Sequence, residues 1–324
     1  MVCRPVRRPV QLMDTGTGSG AEHREPARRA AVLGHPIGHS KSPALHRAAY
    51  ASLGFDCSYE AIDLTEQQVP DFIAGLRAAG PAGPDWVGLS VTMPLKAALV
   101  PQMDEVSDLV RRLGVLNTVV VSRGEPGAGP GAVRLSGHNT DVAGIVGALR
   151  HAGARAGGNA VILGGGGTAA AAVAALAGLG AASVTICLRQ PAKAVQLVEL
   201  AAGFALPCQV LPLQDAAGCL EAADLVVSTL PPRAADPVAA QLALDDGGSA
   251  RPAQAGRVLL DVAYDPWPSR IAAVWQGRGG TIVAGIEMLI YQAVEQVRLF
   301  SGALFHDAAG VTNVMCDAVG VPRR

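Results

Sequence analysis

The sequence predicts an α/β protein in which strands and helices alternate through two successive series. Two observations carry this prediction. Apolar strand-like runs and longer helical runs follow each other from Ala30 to Ala263. A run of four glycines stands between an apolar strand and an alanine-rich helix, which is typical of an open, doubly wound sheet. Because alternation of this kind favours parallel pairing, we expect mostly parallel sheets.

The first series opens with a strand at 30–33 and a helix that starts near Ser42. We expect Ser42 to be the N-cap, Pro43 to occupy the first helical position and Gly54 to end the helix. The other elements of this series are strands at 58–64, 86–91 and 115–122 and helices at about 66–79 and 104–113. A Gly/Pro segment at 124–131 is expected to form an exposed hairpin loop, and a helix at about 140–151 leads into the second series.

The second series contains a predicted nucleotide site. A strand at 160–163 leads into the glycine turn and then into a helix that ends near Leu179. The spacing of Gly164, Gly166 and Ala169 matches the dinucleotide fingerprint, in which glycines allow a tight turn and helix amides meet phosphates. The alternative is a flexible loop without a ligand. The candidate phosphate-binding residues are Gly164, Gly165, Gly166, Gly167, Thr168 and Ala169, and further strands are predicted at 183–188, 208–213, 225–230 and 258–263.

The second strand of this series ends without an acidic residue, which favours NADP(H) over NAD. An NAD site usually has Asp or Glu there to bind the ribose hydroxyls. Here Arg189 follows the strand and Lys193 comes four residues later, and both could bind a ribose 2′-phosphate. The alternative is that both are solvated charges at the start of a helix, where cations are mildly unfavourable. Thr229 lies at the carboxyl end of a later strand, where ligands bind in such sheets, so we include it in the cofactor site.

Composition and charge exclude several classes of protein. The chain has 324 residues, half of them apolar, which suggests two domains of about 100–200 residues each. A net charge of −1 argues against nucleic acid or an anionic membrane as a partner, and no apolar stretch nears the roughly 20 residues that cross a bilayer. Residues 1–29 are polar and aperiodic, so we expect a disordered tail without an export signal. The six scattered cysteines are expected to be thiols, which predicts a cytoplasmic location.

Lysine occurs at three positions against 23 arginines, and each lysine lies in a motif that suggests chemistry. They are Lys41, Lys96 and Lys193, and chance placement is the alternative explanation. Unlike a guanidinium, a lysine ammonium can lose its proton near neutral pH in a suitable environment, so lysine can act as an acid or base. Lys96 is the candidate acid or base, because it follows a buried strand and the residues Thr92, Met93 and Pro94.

Seven motifs in sequence order resemble the shikimate dehydrogenase family. They lie at 34–43, 90–96, 117–118, 137–141, 164–169, 264–268 and 285–293. The resemblance implies a substrate domain with a mixed, mostly parallel sheet at 30–136, completed by 286–324. It implies a Rossmann NADP-binding domain at 137–285, with the last helices returning to the first domain. It also implies reversible reduction of 3-dehydroshikimate to shikimate with NADPH, in the biosynthesis of chorismate and aromatic amino acids.

The resemblance assigns roles to particular residues. Lys96 would give or take the proton of the reacting oxygen, and Asp141 would pair with it. The implied substrate-binding residues are Ser40, Ser42, Thr92, Lys96, Asn117, Asp141, Tyr264 and Gln292, and Gly285 and Met288 would lie beside the nicotinamide. The residues by themselves allow other interpretations: Lys96 as an exposed helical residue, Asp141 as a first-turn acid and Ser42 as a simple cap.

No metal site is expected, although His35, His39 and His46 lie close together in the sequence. No carboxylate or thiolate stands at a spacing that would support them as ligands.

The sequence departs from the commonest family pattern at the cofactor strand and in the lysine motif. Leu188, Gln190 and Lys193 stand where Asn, Thr and Arg are typical, which weakens the expected grip on a 2′-phosphate and leaves NAD use open. Ser90 stands where Asn is usual. None of these changes removes a proposed catalytic group.

Two alternative functions remain open. One is a related enzyme that acts on quinate or an aminated shikimate, although serine at both Ser40 and Ser42 favours shikimate. The other is a noncatalytic NADP-binding sensor, against which the presence of both Lys96 and Asp141 argues. The sequence also leaves the oligomeric state open, with a homodimer as one option.

Overall fold

The first part of the chain folds around a mixed sheet. The computed structural model describes residues 28–78, 85–123, 133–244 and 256–324. The strands of this sheet are β1 (Arg28–Gly34), β2 (Cys57–Asp63), β3 (Asp85–Val91), β4 (Glu105–Val106), β5 (Thr118–Arg123) and β6 (Val133–His138). Their order is β2-β1-β3-β5-β6-β4. Strand β5 runs antiparallel to β3 and β6, and the other neighbouring pairs are parallel.

The second part of the chain forms a parallel sheet with the strand order of a Rossmann fold. Its strands are β7 (Asn159–Leu163), β8 (Ser183–Leu188), β9 (Cys208–Pro212), β10 (Leu225–Ser228), β11 (Val258–Asp261) and β12 (Thr281–Ala284). Their order is β12-β11-β10-β7-β8-β9, and every neighbouring pair is parallel. The chain progresses from β7 to β9 on one side and restarts at β10 on the other. The crevice at the carboxyl ends of β7 and β10 is therefore where such sheets bind ligands.

Helices cover the faces of both sheets. In chain order they are α1 (Ser42–Leu53), α2 (Val69–Ala78), α3 (Asp108–Leu113), α4 (Asp141–His151), α5 (Gly167–Gly178), α6 (Val195–Gly203), α7 (Ala216–Ala222), α8 (Asp236–Leu244), α9 (Arg270–Gly277), α10 (Gly285–Ser301) and α11 (Ala308–Val319). Among the described residues, none of these helices combines the length and apolar character that crossing a membrane requires.

The last two helices return to the first sheet. Helices α10 and α11 pack with α1 over the face of β1 that carries Ala30 and Val32. Ala31 and Leu33 point to the opposite face, where α2 packs. Strand β1 is therefore buried on both faces, which explains its continuous apolar run.

Glycines let α4 approach α10 closely between the two sheets. A Cβ atom on Gly144 would lie 2.8 Å from the carbonyl oxygen of Met288, and one on Gly147 would lie 2.7 Å from the ring of Tyr291. Both distances are too short for any side chain. The absence of these side chains brings the start of α4, and with it Asp141, against the middle of α10.

Several element boundaries predicted from the sequence are wrong. Ser42 is the first residue of α1 rather than its N-cap. The N-cap is Lys41, and the Lys41 side chain makes no cap hydrogen bond. The Ser40 hydroxyl instead accepts from the Ser42 amide at 3.3 Å. Strand β1 begins at Arg28, inside the expected tail, and β6 continues to His138 in the first sheet, past the expected domain boundary. The predicted helix at 104–113 is a short strand, β4, followed by α3.

Gly54 ends α1 in the left-handed conformation, as predicted. The rest of the expected tail, residues 1–27, and the expected hairpin loop at 124–131 lie outside the described residues.

Candidate active site

Lys96 and Asp141 form an almost fully buried ion pair. The Lys96 ammonium donates a hydrogen bond to Oδ2 of Asp141, and the two side chains are 12% and 1% exposed. Lys96 follows β3, and Asp141 is the first residue of α4. Their contact shows what the sequence alone could not, that the two residues lie together.

The turn that carries Lys96 is held on both sides. The Thr92 amide donates to the carbonyl oxygen of Leu33, and the Leu95 amide donates to that of Thr92, both at 2.9 Å. Leu95 is fully buried. The Lys96 carbonyl accepts from the Leu116 amide at 3.0 Å. The alternative interpretation of Lys96 as an exposed helical residue is therefore wrong. Lys96 lies in a turn that backbone hydrogen bonds hold in place, and its ammonium group points inward.

Asn117 fixes the other oxygen of the Asp141 carboxylate. Its side-chain amide donates to Oδ1 of Asp141 at 2.8 Å and to Oε1 of Gln292 at 2.9 Å. Its own Oδ1 accepts from the Thr140 amide at 2.7 Å. The Asp141 amide donates to the side chain of Asn139 at 3.0 Å. Three residues assigned to substrate binding, Asn117, Asp141 and Gln292, thus belong to one hydrogen-bonded group.

Gln296 was missed from the sequence. It is buried, and its amide nitrogen donates to the Asn117 carbonyl at 3.2 Å and to the Thr118 hydroxyl at 3.0 Å. Its oxygen accepts from the Ser90 hydroxyl at 2.8 Å, and Ser90 accepts from the Tyr59 phenol at 2.7 Å. The available signal was a second glutamine on α10, one helical turn after Gln292.

Ser42 lies beside this buried network. Its side chain contacts the Tyr59 phenol, and its carbonyl accepts from Nδ1 of His46 at 3.0 Å. The His46 ring stacks on Tyr59 with 4.0 Å between ring centroids, and its Nε2 faces Gln296 without a well-aligned hydrogen bond. Ser40 is half-buried at the start of α1.

The glycine turn after β7 has the geometry that a phosphate-binding loop requires. Gly164 has φ +113°, and a Cβ atom there would lie 2.4 Å from Oγ1 of Thr229. Thr229 donates through that hydroxyl to the Leu163 carbonyl at 2.9 Å, which ties β10 to β7. Gly166 precedes α5 and faces open space. An anion could therefore approach the first amides of α5, which have no partner within the helix.

The remaining residues of the turn line the same helix start. A Cβ atom on Gly165 would lie 2.8 Å from Leu188, and one on Gly167 would lie 3.3 Å from Val115. Thr168 is half-buried and Ala169 is fully buried. The third position of the fingerprint therefore packs helix α5 onto the sheet, as its usual role requires.

Arg189 and Lys193 are exposed beyond the end of β8. Arg189 follows the strand directly, and Lys193 lies in a single turn of 3₁₀ helix at Pro191–Ala194, before α6. Within the described parts of the chain, no carboxylate forms an ion pair with either cation. Both charges are therefore available to an anion at this strand end.

The residues expected beside the nicotinamide lie at the start of α10. A Cβ atom on Gly285 would lie 2.0 Å from the Val262 carbonyl oxygen, so only glycine fits there. Met288 is buried, one turn further along α10. Tyr264 is half-buried in the segment after β11.

The histidines do not form a cluster. His35 contacts the carboxylate of Asp63, a partner that the sequence did not suggest, and this pair is exposed. His46 is buried elsewhere, against Tyr59. Across the residues that the structure describes, no group of three or more His, Cys, Asp or Glu side chains could hold a metal ion.

Comparison with known proteins identifies the family. Residues 32–119 match the family model described as the shikimate dehydrogenase substrate binding domain, and residues 148–267 match that of shikimate / quinate 5-dehydrogenase. A curated shikimate dehydrogenase (NADP(+)) from Moorella thermoacetica is 35% identical and covers 84% of this chain and 87% of its own length. This chain belongs to the shikimate dehydrogenase family.

Solved shikimate dehydrogenases share its fold. That of Mycobacterium tuberculosis is 37% identical, with a TM-score of 0.73, over 90% of this chain and 99% of its own. The Thermus thermophilus protein, solved with NADP(H) and shikimate, is 32% identical, with a TM-score of 0.68 over 90% and 99% of the chains. The Listeria monocytogenes protein, solved with shikimate and NAD, is 25% identical, with a TM-score of 0.71 over 85% and 92%. The family and fold class predicted from the sequence are confirmed.

The buried histidine next to Ser42 predicts a pH dependence of stability. Burial lowers the pKa of His46 to about 4 from the ordinary 6.5. Between these pH values the unfolded chain binds the proton and the folded protein does not. The free energy of unfolding should therefore fall as the pH drops from 6.5 to about 4, by up to about 3 kcal/mol from this residue. Chemical unfolding of the wild-type protein and of His46→Asn, at pH values from 8 to 4.5, measures this change in the free energy of unfolding.

The Asn side chain keeps an N–H donor but cannot be protonated, so it should remove this part of the pH dependence. The difference between the two proteins at pH 8 is the reference, because His46 is neutral in both states there. Parallel stability curves below pH 6.5 would contradict the prediction.

Proposed function

We propose that this protein catalyses the reversible NADPH-dependent reduction of 3-dehydroshikimate to shikimate. The observation that carries the proposal is the buried contact between Lys96 and Asp141, in a chain that belongs to the shikimate dehydrogenase family. An ammonium group that is held in place but still 12% exposed can exchange a proton with a bound substrate.

NADPH, when bound, supplies the hydride that reduces the carbonyl carbon of the substrate. Negative charge then develops on the carbonyl oxygen, and a proton donor placed beside it lowers the barrier. Lys96 donates that proton in the reduction and takes it back in the oxidation of shikimate. Asp141 orients the ammonium through Oδ2, while Asn117 holds Oδ1, so the carboxylate cannot rotate away.

The polar groups around Lys96 suit a small polyhydroxylated carboxylate. Asn117, Asp141, Gln292 and Thr92 are proposed to bind the ring hydroxyls, and the hydrogen bonds that join the first three support this role. Ser40 and Ser42, at the start of α1, are proposed to bind the carboxylate. Tyr264 is proposed to assist near that carboxylate.

The loop at the end of β7 fits the pyrophosphate of a dinucleotide. Gly166 leaves open space before α5, and Gly164 has a backbone conformation that L side chains rarely adopt. Arg189 and Lys193 are proposed to bind the 2′-phosphate, because both are exposed cations at the position where NAD sites carry an acid. Gly285 and Met288 are proposed to flank the nicotinamide.

Under this proposal the substrate side comprises residues 30–136 with 286–324 and the cofactor side comprises 137–285, except that β1 and β6 extend the first sheet to Arg28 and His138. The cytoplasmic location and the homodimer considered from the sequence stay predictions.

The proposed function is tested by the change in NADPH absorbance with purified protein. Shikimate and quinate are each offered with NADP and with NAD. We expect clear reduction of cofactor with shikimate and NADP. A preference for quinate would assign the protein to the related catabolic or secondary-metabolic enzymes, and a lack of turnover in all four mixtures would support the noncatalytic sensor.

Replacement of Lys96 should abolish most turnover without preventing substrate binding. Lys96→Ala is expected to lower kcat by about a hundredfold or more, because a positioned acid or base contributes roughly 10²–10⁴-fold. The Kd for shikimate, measured by calorimetry, should change by less than about tenfold. Lys96→Arg is the matched variant, since it keeps a charge beside Asp141 but releases a proton far less readily. Near-normal turnover of either variant would exclude Lys96 as the proton donor.

Removal of the Arg189 guanidinium should affect the two cofactors differently. Arg189→Ala is expected to raise the KM for NADP by about tenfold or more, since a charge-assisted hydrogen bond contributes about 1.5–3 kcal/mol. The KM for NAD, which lacks the 2′-phosphate, should stay within about twofold. Arg150→Ala, an exposed arginine at the end of α4, is the control. Equal changes for both cofactors would place Arg189 away from the 2′-phosphate.

A further inference from the structure

A chain of buried hydrogen bonds runs in one direction from Tyr59 to Asp141. The Tyr59 phenol donates to Ser90, Ser90 donates to Gln296, and Gln296 donates to the Thr118 hydroxyl. The Thr118 hydroxyl donates to Oδ1 of Asn117 at 2.9 Å, and the Asn117 amide donates to Asp141. The side chains come from five segments of the fold: β2, β3, α10, the start of β5 and the start of α4.

Two backbone groups fix the direction of this chain. The Asn117 carbonyl can only accept, so the Gln296 group that faces it must be the amide nitrogen, and the Gln296 oxygen must face Ser90. The Thr140 amide can only donate, so the Asn117 group that faces it must be the oxygen. The Asn117 nitrogen is thereby directed at Asp141 and Gln292. Neither assignment depends on which way an amide side chain is drawn.

The Tyr59 end of the chain is also fixed. Burial raises the pKa of the Tyr59 phenol well above its ordinary value, so the phenol stays protonated and can donate to Ser90. The Ser42 side chain lies beside the same phenol. The hydrogen-bond chain therefore runs from a phenol beside Ser42 to the Asp141 carboxylate.

We propose that Gln296 is a positioning residue for the reaction, which acts through Thr118 and Asn117 on the Asp141 carboxylate. The inference rests on the proposed function, and it adds Gln296, Thr118 and Ser90 to the residues that determine catalytic efficiency. None of the three needs to touch the substrate. The Gln296 amide nitrogen donates to the Thr118 oxygen, so the hydroxyl proton of Thr118 cannot point at Gln296 and is turned toward Asn117 at 2.9 Å and Thr140 at 3.4 Å.

Without Gln296, no donor faces the Thr118 oxygen from α10, and the Thr118 hydroxyl is freer to rotate away from Asn117. The Thr140 hydroxyl lies 3.4 Å from the Thr118 hydroxyl, and either oxygen of that pair could donate. A Thr118 proton turned toward Thr140 would remove the 2.9 Å hydrogen bond to the Asn117 oxygen, which would keep the Thr140 amide at 2.7 Å and the longer contact with the Thr140 hydroxyl at 3.3 Å. The Asn117 amide would then be freer to rotate, and Asp141 and Gln292 would lose a fixed donor.

The first test is the kinetics of Gln296→Met, which keeps the side-chain length and removes both polar groups. We expect kcat/KM for shikimate to fall by about tenfold or more, as the loss of one aligned hydrogen bond implies. The Kd for NADP should stay within about twofold. Ser301→Ala is the matched control. It removes a buried hydroxyl from the same helix, and that hydroxyl donates to the Val297 carbonyl and takes no part in the hydrogen-bond chain from Tyr59 to Asp141. A kcat/KM within twofold of wild type would overturn the proposal.

Ser90→Ala keeps the proposal testable if Gln296→Met does not fold. It removes one hydroxyl and leaves the Gln296 oxygen without its donor, so we expect a smaller fall in kcat/KM of about threefold. An unchanged kcat/KM in Ser90→Ala, with Tyr59 and Gln296 intact, would contradict a role of this hydrogen-bond chain in the reaction.

A double-mutant cycle separates positioning from packing. If Gln296 acts through the Thr118 hydroxyl, Thr118→Val should lower kcat/KM by a similar factor, and the double variant should be no worse than either single variant. Independent packing defects would instead multiply, with the double variant losing the product of the two factors. Multiplicative losses would overturn the proposal.

A readout without turnover distinguishes failure of this inference from failure of the proposed function. Hydrogen exchange of the Asn117 side-chain amide, followed by NMR on the ligand-free protein, reports whether that amide is held. We expect faster exchange in Gln296→Met than in wild type and in Ser301→Ala. Unchanged exchange would reject the positioning role, even if shikimate proved to be the wrong substrate.

Discussion

The burial of one carboxylate constrains much of this structure. Asp141 is 1% exposed, and a carboxylate in that position needs both a cation and hydrogen-bond donors. Lys96 supplies the cation to one oxygen, and Asn117 supplies a donor to the other. The turn after β3, the start of β5 and the first turn of α4 must therefore meet at one point. Loss of one partner of such a pair costs about 3–5 kcal/mol, because the other charge stays buried.

Helix α10 brings the second half of the site to that point. It starts at Gly285 against Val262, the residue after β11 of the second sheet, and ends on the first sheet, where Phe300 packs over Gly88. Between these ends, Gly144 of α4 lets the helix pass close enough for Gln292 to reach Asn117. A single helix thus contacts both sheets and contributes polar groups between them, close to Lys96 and Asp141.

The sequence predicted the features that local chemistry determines. The glycine turn was recognisable because only glycine adopts φ +113° readily at Gly164 and because a strand and a helix flank it. The start of α1 was placed one residue too late as a cap, because Pro43 is tolerated at either of the first two helical positions, and the Ser40 hydroxyl, not that of Ser42, meets the first amide.

Contacts between distant segments were not predictable in the same way. Ser90 and Gln296 are 206 positions apart in the chain, and no periodic pattern marks them as partners. The closeness of Lys96 and Asp141 was expected from the resemblance to a family, but their spacing alone does not require it. The contact between the Ser42 side chain and Tyr59 of β2 is tertiary in the same way, and nothing in the sequence near Ser42 indicates it.

Apart from Gln292 one turn before it, Gln296 stands on an apolar face of α10. Its neighbours along that face, Ala293, Val297 and Phe300, pack in the core, and an apolar side chain of similar volume could do the same. A buried amide needs all its partners to offset about 1–3 kcal/mol of desolvation, so it gains little over such a side chain in stability. What the amide adds is direction. An apolar residue can fill the space beside Thr118, but a donor there turns the Thr118 proton away from α10, while the acceptor end of the same amide receives the Ser90 proton.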